Sequence, residues 1–154
     1  MSLFVAHKDI QPTVEWETEI EAALSTCDLL VALIHPKFIE SEWCDQEIGY
    51  ALGRGVPVFT VMCGANPHGF IRRFQGFSGN GKKSREIAKE LFDAAVGHKN
   101  LKNKISSILV DIFVNSESYQ NSIRYVSCLE SLTEWDVSYS KKIQQALSVH
   151  PITS

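Results

Sequence analysis

One carboxylate, Glu47, lies four residues after an indole, Trp43, at the start of a predicted helix that follows an apolar strand-length segment. Side chains four apart share one face of a helix, so the two are expected to be neighbours. A carboxylate among aromatic rings, with little competing solvent, can orient sugar hydroxyls or stabilise positive charge developing on an anomeric carbon. Glu47 is therefore a candidate catalytic residue. The alternative is a solvated helix residue, with Trp43 as a core anchor.

Three strand-length apolar segments in the first 63 residues, separated by helical patterns, must position that pair. Parallel neighbours need a crossover, and two strand-helix-strand units in about sixty residues predict a parallel sheet with helices on its faces. The predicted fold is α/β, a small flavodoxin-like sheet. Its predicted strands are residues 2–6, 28–34 and 56–63; its predicted helices run from Pro12 to Asp28 and, after a loop at 35–40, from Ser41 as N-cap to about Arg54.

The rest of the chain is predicted to be mainly helical. Residues 70–77 indicate a short helical turn and an edge strand, and residues 78–83 form a glycine-containing flexible stretch. Four amphipathic patterns follow, with apolar residues at helical spacing. The sequence thus predicts an α/β domain at 1–80 and a helical extension at 84–154.

Ligands of open parallel sheets bind in the crevice outside the carboxyl ends of the strands. That rule selects the loops after the three predicted strands, the first of which carries His7, Lys8 and Asp9. His7 is either a contact to phosphate or ribose or a satisfied structural group. Lys8 and Asp9 either pair with each other or bind the ligand. On the helix of Glu47, a neighbouring stripe is predicted to face the core; it comprises Cys44, Ile48, Ala51 and Leu52.

Composition and motifs exclude several classes of function. A formal charge of -3 and a pI near 5.9 provide no basic field, which argues against nucleic-acid binding. No apolar run approaches the roughly 18 residues of a membrane span, and no signal pattern opens the chain, so a soluble cytoplasmic protein is expected. Phosphate-loop, dinucleotide-glycine and nucleophilic-serine motifs are absent from the sequence. The four cysteines are single, without metal-ligand spacing, and are interpreted as reduced thiols, so no metal is expected.

The order of these segments resembles the Toll/interleukin-1 receptor (TIR) domain, in a bacterial form. The resemblance covers roughly residues 1–80. It rests on the residues Phe4-Val5-Ala6-His7, Asp28-Leu29-Leu30-Val31, Ser41-Glu42-Trp43-Cys44-Asp45-Gln46-Glu47 and Gly55-Val56-Pro57-Val58. Its most specific part is the serine, tryptophan, cysteine and glutamate spacing after an apolar strand.

The resemblance implies an enzyme that cleaves the nicotinamide–ribose bond of NAD, with NAD as substrate and no cofactor. In enzymatic members the glutamate of this motif is catalytic, which implies that role for Glu47. Trp43 is then expected on the nicotinamide side of the pocket, with His7, Lys8, Asp9 and Cys44 completing the substrate-binding set. The product, linear ADP-ribose or a cyclic form, stays open. Self-association through the domain and a role in antiphage defence are also implied.

The chain also departs from the family pattern. Residues 9–15 replace a segment that usually contains a further helix and strand and a loop used in self-association and substrate access, so the fold is predicted to be a shortened TIR-like one. Ala6 stands where many relatives have serine. The alternative function is a non-catalytic TIR protein-interaction scaffold. A phospho-acceptor receiver domain is excluded, because the residues after the predicted strands do not supply its acidic pair and aspartate.

Overall fold

The computed structural model of the chain describes residues 16–116 and 119–149. The predicted strand at 2–6, the beginning of the first helix and the candidate residues His7, Lys8 and Asp9 lie outside these ranges. The described elements are α1 (Trp16–Thr26), β1 (Leu30–Ile34), α2 (Pro36–Ile39), α3 (Glu42–Gly53), β2 (Val58–Met62), a 3-10 helix (Gly69–Arg73), β3 (Phe77–Ser78), α4 (Ser84–Gly97), α5 (Lys102–Val114), α6 (Tyr119–Glu130) and α7 (Val137–Val149).

The described strands form one parallel sheet in the order β1-β2-β3. β1 and β2 pair from Leu30 opposite Val58 to Ile34 opposite Met62, and β2 and β3 pair at Val61 opposite Phe77. Parallel pairing places the carboxyl ends of all three strands at one edge. The predicted α/β fold with a parallel sheet and carboxy-terminal helices is confirmed.

β1 and β2 are both shorter than predicted, for a reason visible in their hydrogen bonds. Val56 donates its N–H to the carbonyl of Ala51 in α3, 2.9 Å away, so it ends the helix and does not begin the ladder. Pairing therefore starts where Leu30 donates to Pro57, at 3.0 Å. At the other end Cys63 donates to Ile34 over 2.7 Å, which carries the pairing one residue past β2.

β1 alternates in burial although its sequence is apolar throughout. Ala32 and Ile34 are buried, whereas Val31 and Leu33 are 37% and 53% exposed. Successive strand side chains point to opposite faces, so one face of β1 is in the core and the other is open. The core of this part of the molecule lies between the buried face and α3.

The loop predicted at residues 35–40 is wrong in part, because α2 occupies Pro36–Ile39. Pro36 stands at the first helical turn, where its missing N–H costs nothing and its fixed φ suits the helix. Phe38 donates its N–H to His35 at 2.9 Å and buries its ring. The burial of Phe38 thus stabilises a short helix within the segment that was predicted to be a loop.

Helix α3 begins and ends as predicted. Ser41 has the extended backbone of an N-cap residue, and the helix stops at Gly53, before Gly55 with its φ of 72°. The predicted core stripe is confirmed: Ile48 and Ala51 are buried, and Cys44 and Leu52 pack against the same cluster. That cluster includes Ala32 and Ile34 of β1.

The short helical turn and edge strand predicted at 70–77 are confirmed as the 3-10 helix and β3. Part of the stretch predicted to be flexible is ordered by defined contacts. Gly79 donates its N–H to Met62 at 2.9 Å. The carboxylate of Glu86 accepts a hydrogen bond of 2.7 Å from the N–H of Lys83. The residue at helix position N3 makes this bond in a capping box, and it fixes the start of α4.

The chain divides into two compact units after Leu91, within α4. In the second unit α6 and α7 pack on α5, which supplies the buried residues Ser106, Leu109 and Val110. Lys142 of α7 pairs with Asp111 of α5, and Lys102 of α5 pairs with Glu134, which lies between α6 and α7. The buried apolar side chains of this unit are Ala95, Val96, Leu101, Leu109 and Val110. Among the described helices, none has the length and apolar character that crossing a membrane requires.

Gly79 is expected to be intolerant of a side chain. A Cβ added there would lie 2.9 Å from the carbonyl oxygen of Met62 and 3.0 Å from the Cys63 Sγ, closer than real contacts allow. We expect Gly79→Ala to lower the free energy of unfolding by about 1–3 kcal/mol in urea titrations, because backbone must move.

Gly49 in α3 is the matched control, since a Cβ there meets nothing within 4 Å. Gly49→Ala is expected to raise the free energy of unfolding by about 0.5–1 kcal/mol, because alanine loses less backbone entropy in a helix. Equal effects of the two substitutions would contradict the close approach of Gly79 to β2.

Candidate functional site

Two of the three loops predicted to form the crevice adjoin each other. Cys63 donates to the carbonyl of Ile34, and a Cβ on Gly64 would lie 3.8 Å from the Cδ of Pro36. Gly64 has a φ of 96°, a conformation that glycine adopts without strain. The loops after β1 and β2 therefore meet at the carboxyl edge of the sheet, as predicted, and the loop with His7, Lys8 and Asp9 lies outside the described residues.

The buried stripe of α3 separates two flanks of that helix. A helix turns about 100° per residue, so Asp45 and Glu47 are about 160° apart around the axis, on opposite sides of Ile48. Ile48 is only 3% exposed, which fixes the rotation of α3 against the sheet. Chemistry at Glu47 and chemistry at Asp45 therefore belong to different surfaces.

The first flank carries Trp43 and Glu47. Glu47 is half-buried and Trp43 is 39% exposed. Trp43 is thus partly exposed and is not among the buried residues of the core. Trp43 and Glu47 lie one helical turn apart in α3, as the sequence predicted. The exposed part of the indole can stack on a flat ligand.

Cys44 adjoins the same flank from its half-buried position in the stripe. Burial raises the pKa of the Cys44 thiol, a hydrogen bond from Ser41 opposes that rise, and the negative charges of Glu47 and Asp45 add to it. The thiol is therefore neutral at physiological pH. A neutral, half-buried thiol is a poor nucleophile, so Cys44 fits a wall of the site better than a reacting group.

Arg54 closes the first flank at the carboxyl end of α3. Its Nη1 donates to the carbonyl of Leu24 and, at 3.4 Å, to that of Cys27, where α1 ends. α1 has no basic residue in its own last turn, so this guanidinium supplies the positive charge that a helix carboxyl terminus favours. The carboxyl end of this flank thus contacts the end of α1.

The opposite flank of α3 holds a cavity of about 440 Å³. His68 approaches Asp45 there, with Nε2 3.1 Å from Oδ1, and the ring of Phe38 meets the imidazole edge-on at 6.5 Å between centroids. The lining residues are Asp45, Ile48, His68, Gly69, Phe70 and Ile71. Neither Trp43 nor Glu47 belongs to that lining.

Sequence reasoning missed the Asp45–His68 pair because 23 residues and a strand separate its members. A histidine in the turn-rich loop after the third predicted strand was the available signal, but no spacing rule connects it to α3. Within the described residues, His, Cys, Asp and Glu side chains nowhere gather in a group of three that could hold a metal ion.

Comparisons with family models and with solved structures each give a match to this chain. A family model described as the TIR domain matches residues 1–92, further than the 80 residues on which the sequence resemblance rests. A crystal structure of the TIR domain of the Toll-related receptor TRR-2 from Hydra magnipapillata aligns with 18% identity and a TM-score of 0.46, over 58% of this chain and 71% of that one. No curated protein matches the chain.

The effect of the Glu47 charge on the Cys44 thiol is testable through thiol reactivity. Because the Glu47 charge raises the pKa of Cys44, we expect Glu47→Gln to shift the pH dependence of Cys44 alkylation to lower pH. Ser41→Ala should shift it to higher pH, since it removes the hydrogen bond that opposes the rise. Peptide mass spectrometry after timed iodoacetamide labelling measures each site separately, with Cys128 as the internal reference. An unchanged Cys44 profile in both variants would contradict the geometry.

Proposed function

The chain belongs to the TIR domain family, and on that premise we propose that it is a bacterial-type NAD⁺ nucleosidase. It cleaves the bond between nicotinamide and ribose and takes NAD as substrate, not as a cofactor. The observation that carries the proposal is Glu47, which is half-buried in α3 one helical turn from the partly exposed indole of Trp43.

Glu47 is proposed to accept hydrogen bonds from the hydroxyls of the nicotinamide ribose. As the glycosidic bond lengthens, its electron pair leaves with the nicotinamide, which departs neutral, and positive charge develops at the anomeric carbon. A fixed carboxylate stabilises that oxocarbenium-like state more than the ground state, which is the condition for catalysis. Water then attacks the anomeric carbon and releases a proton, which gives ADP-ribose.

The neighbours of Glu47 take binding roles in this proposal. The exposed face of Trp43 stacks on the nicotinamide ring, which keeps the departing group in line with the bond that breaks. Cys44, neutral and half-buried, forms part of the wall. His7, Lys8 and Asp9, whose loop follows the first predicted strand, contact the phosphates and ribose.

The second step can take another course with the same residues. Attack on the anomeric carbon by the adenine of the same molecule, in place of water, gives a cyclic ADP-ribose product that serves as a signal. Self-association of the domain completes the site in this proposal, and antiphage defence is the setting in which such a signal acts. The cytoplasm is the expected compartment, since NAD is an intracellular substrate.

A non-catalytic scaffold is the alternative within the same family. One observation favours it: a cavity lies on the Asp45 flank of α3, and neither Trp43 nor Glu47 lines it. A scaffold has no need of a carboxylate beside Trp43, however. Replacing that carboxylate therefore separates the two functions.

Glu47→Gln is expected to lower kcat/KM for NAD by about 10²–10⁴, because the amide keeps the shape but cannot stabilise the developing charge. Nicotinamide release from concentrated protein, followed by chromatography together with the nucleotide product, measures this effect. The product peak also decides between linear and cyclic ADP-ribose.

Glu42→Gln is the matched control, because it removes the same charge from the first turn of the same helix. It lies about 140° around the axis from Glu47, and its activity should stay within about twofold of the unsubstituted protein. Equal loss in both variants, or equal activity in both, would overturn the catalytic role of Glu47. Absence of nicotinamide release from the unsubstituted protein, also under crowding, would favour the scaffold.

A further inference from the structure

We propose that Tyr50 is a substrate-contacting specificity residue that binds the adenylate half of NAD, an inference that rests on the proposed function of Glu47. Tyr50 lies in α3, seven residues after Trp43 and three after Glu47. It is 41% exposed, close to the 39% of Trp43. Two aromatic rings thus flank one carboxylate along a single helix.

Helix geometry places these three residues on one flank. At about 100° per residue, Tyr50 lies within about 20° of Trp43 around the axis and within about 60° of Glu47. The rise of about 1.5 Å per residue separates the two aromatic positions by roughly 10 Å along the axis. Glu47 lies between them along the axis and to one side of both around it.

The direction of helical side chains brings Tyr50 towards the carboxylate. Long side chains in a helix lean towards its amino terminus and cover the turn that precedes their own Cα. For Tyr50 that turn is the one that bears Glu47. The phenol ring of Tyr50 is therefore expected to lie on the same exposed surface of α3 as Trp43.

The chemistry of this surface matches a dinucleotide. NAD carries a flat base at each end, with two riboses and a pyrophosphate between. If Trp43 stacks on the nicotinamide and Glu47 holds its ribose, the ring further along α3 meets the other half of the same molecule. The face of a tyrosine ring stacks on a purine, as on any base, because every base has a flat π-face. The tyrosine hydroxyl can form a hydrogen bond with a ribose or phosphate oxygen.

The carboxyl end of the flank is already occupied, which limits where the ligand can extend. Arg54, in the next turn on this side, is engaged by the carbonyls of Leu24 and Cys27. Its Nη1 is engaged at the end of α1. Tyr50 is the last aromatic side chain of this flank of α3.

A substrate that lacks the adenylate tests the inference directly. Nicotinamide mononucleotide has the same scissile bond as NAD without the second base. For Tyr50→Ala we expect KM for NAD to rise about tenfold, the effect of losing one base–aromatic stack, with kcat within about twofold. Turnover of nicotinamide mononucleotide should stay within about twofold. Tyr50→Phe, which keeps the ring, should stay near the unsubstituted protein with NAD.

Phe70 provides the matched control, as an aromatic ring that is 72% exposed beside the cavity on the other flank. Phe70→Ala should change neither substrate. Unaltered NAD kinetics in Tyr50→Ala, or an equal loss with both substrates, would overturn the role of Tyr50 and leave that of Glu47 standing. Trp43→Ala should impair both substrates alike.

Equilibrium binding separates this inference from the proposed reaction. NAD titrated calorimetrically into Glu47→Gln and into the double variant Glu47→Gln/Tyr50→Ala should bind about tenfold more weakly to the second. Equal affinity would overturn the contact with Tyr50, even where the Glu47 prediction succeeds. Absence of both binding and nicotinamide release in the unsubstituted protein would instead reject the proposed function, and the inference with it.

Discussion

The burial of one stripe of α3 against β1 governs the arrangement of everything around it. Ile48 and Ala51 lie in the same buried cluster as Ala32 and Ile34, and a close-packed contact of this kind fixes a helix in rotation as well as in position. Turning α3 by one residue in either direction would bring a carboxylate, that of Asp45 or of Glu47, into that cluster. The stripe therefore determines that Trp43, Glu47 and Tyr50 share one surface and that Asp45 belongs to another.

Local signals predicted the parts of this unit that depend on neighbouring residues. Gly55 and Pro57 end α3 as the sequence indicated, and the spacing of Ile48 and Ala51 identified its buried face. The limits of the strands were less accurate, since the N–H of Val56 is satisfied by α3 and not by the ladder. Such competition between two hydrogen-bond acceptors has no signature in hydrophobic periodicity.

Features that depend on tertiary contacts could not be predicted from the sequence. The apolar run of β1 does not reveal that Leu33 is open to solvent while Ile34 is buried. The approach of His68 to Asp45 depends on the path of the chain through β2 and the 3-10 helix. The 39% exposure of Trp43 could likewise not be read from residue type, because large aromatic residues are usually buried.

The separation of α3 into two flanks has a consequence for how such a protein can change. Substitutions at sites without shared contacts usually have independent effects, and neither Trp43 nor Glu47 lines the cavity beside His68. That cavity can therefore be reshaped by substitution with little effect on the surface around Glu47. A single twelve-residue helix in this way carries two surfaces that can diverge separately.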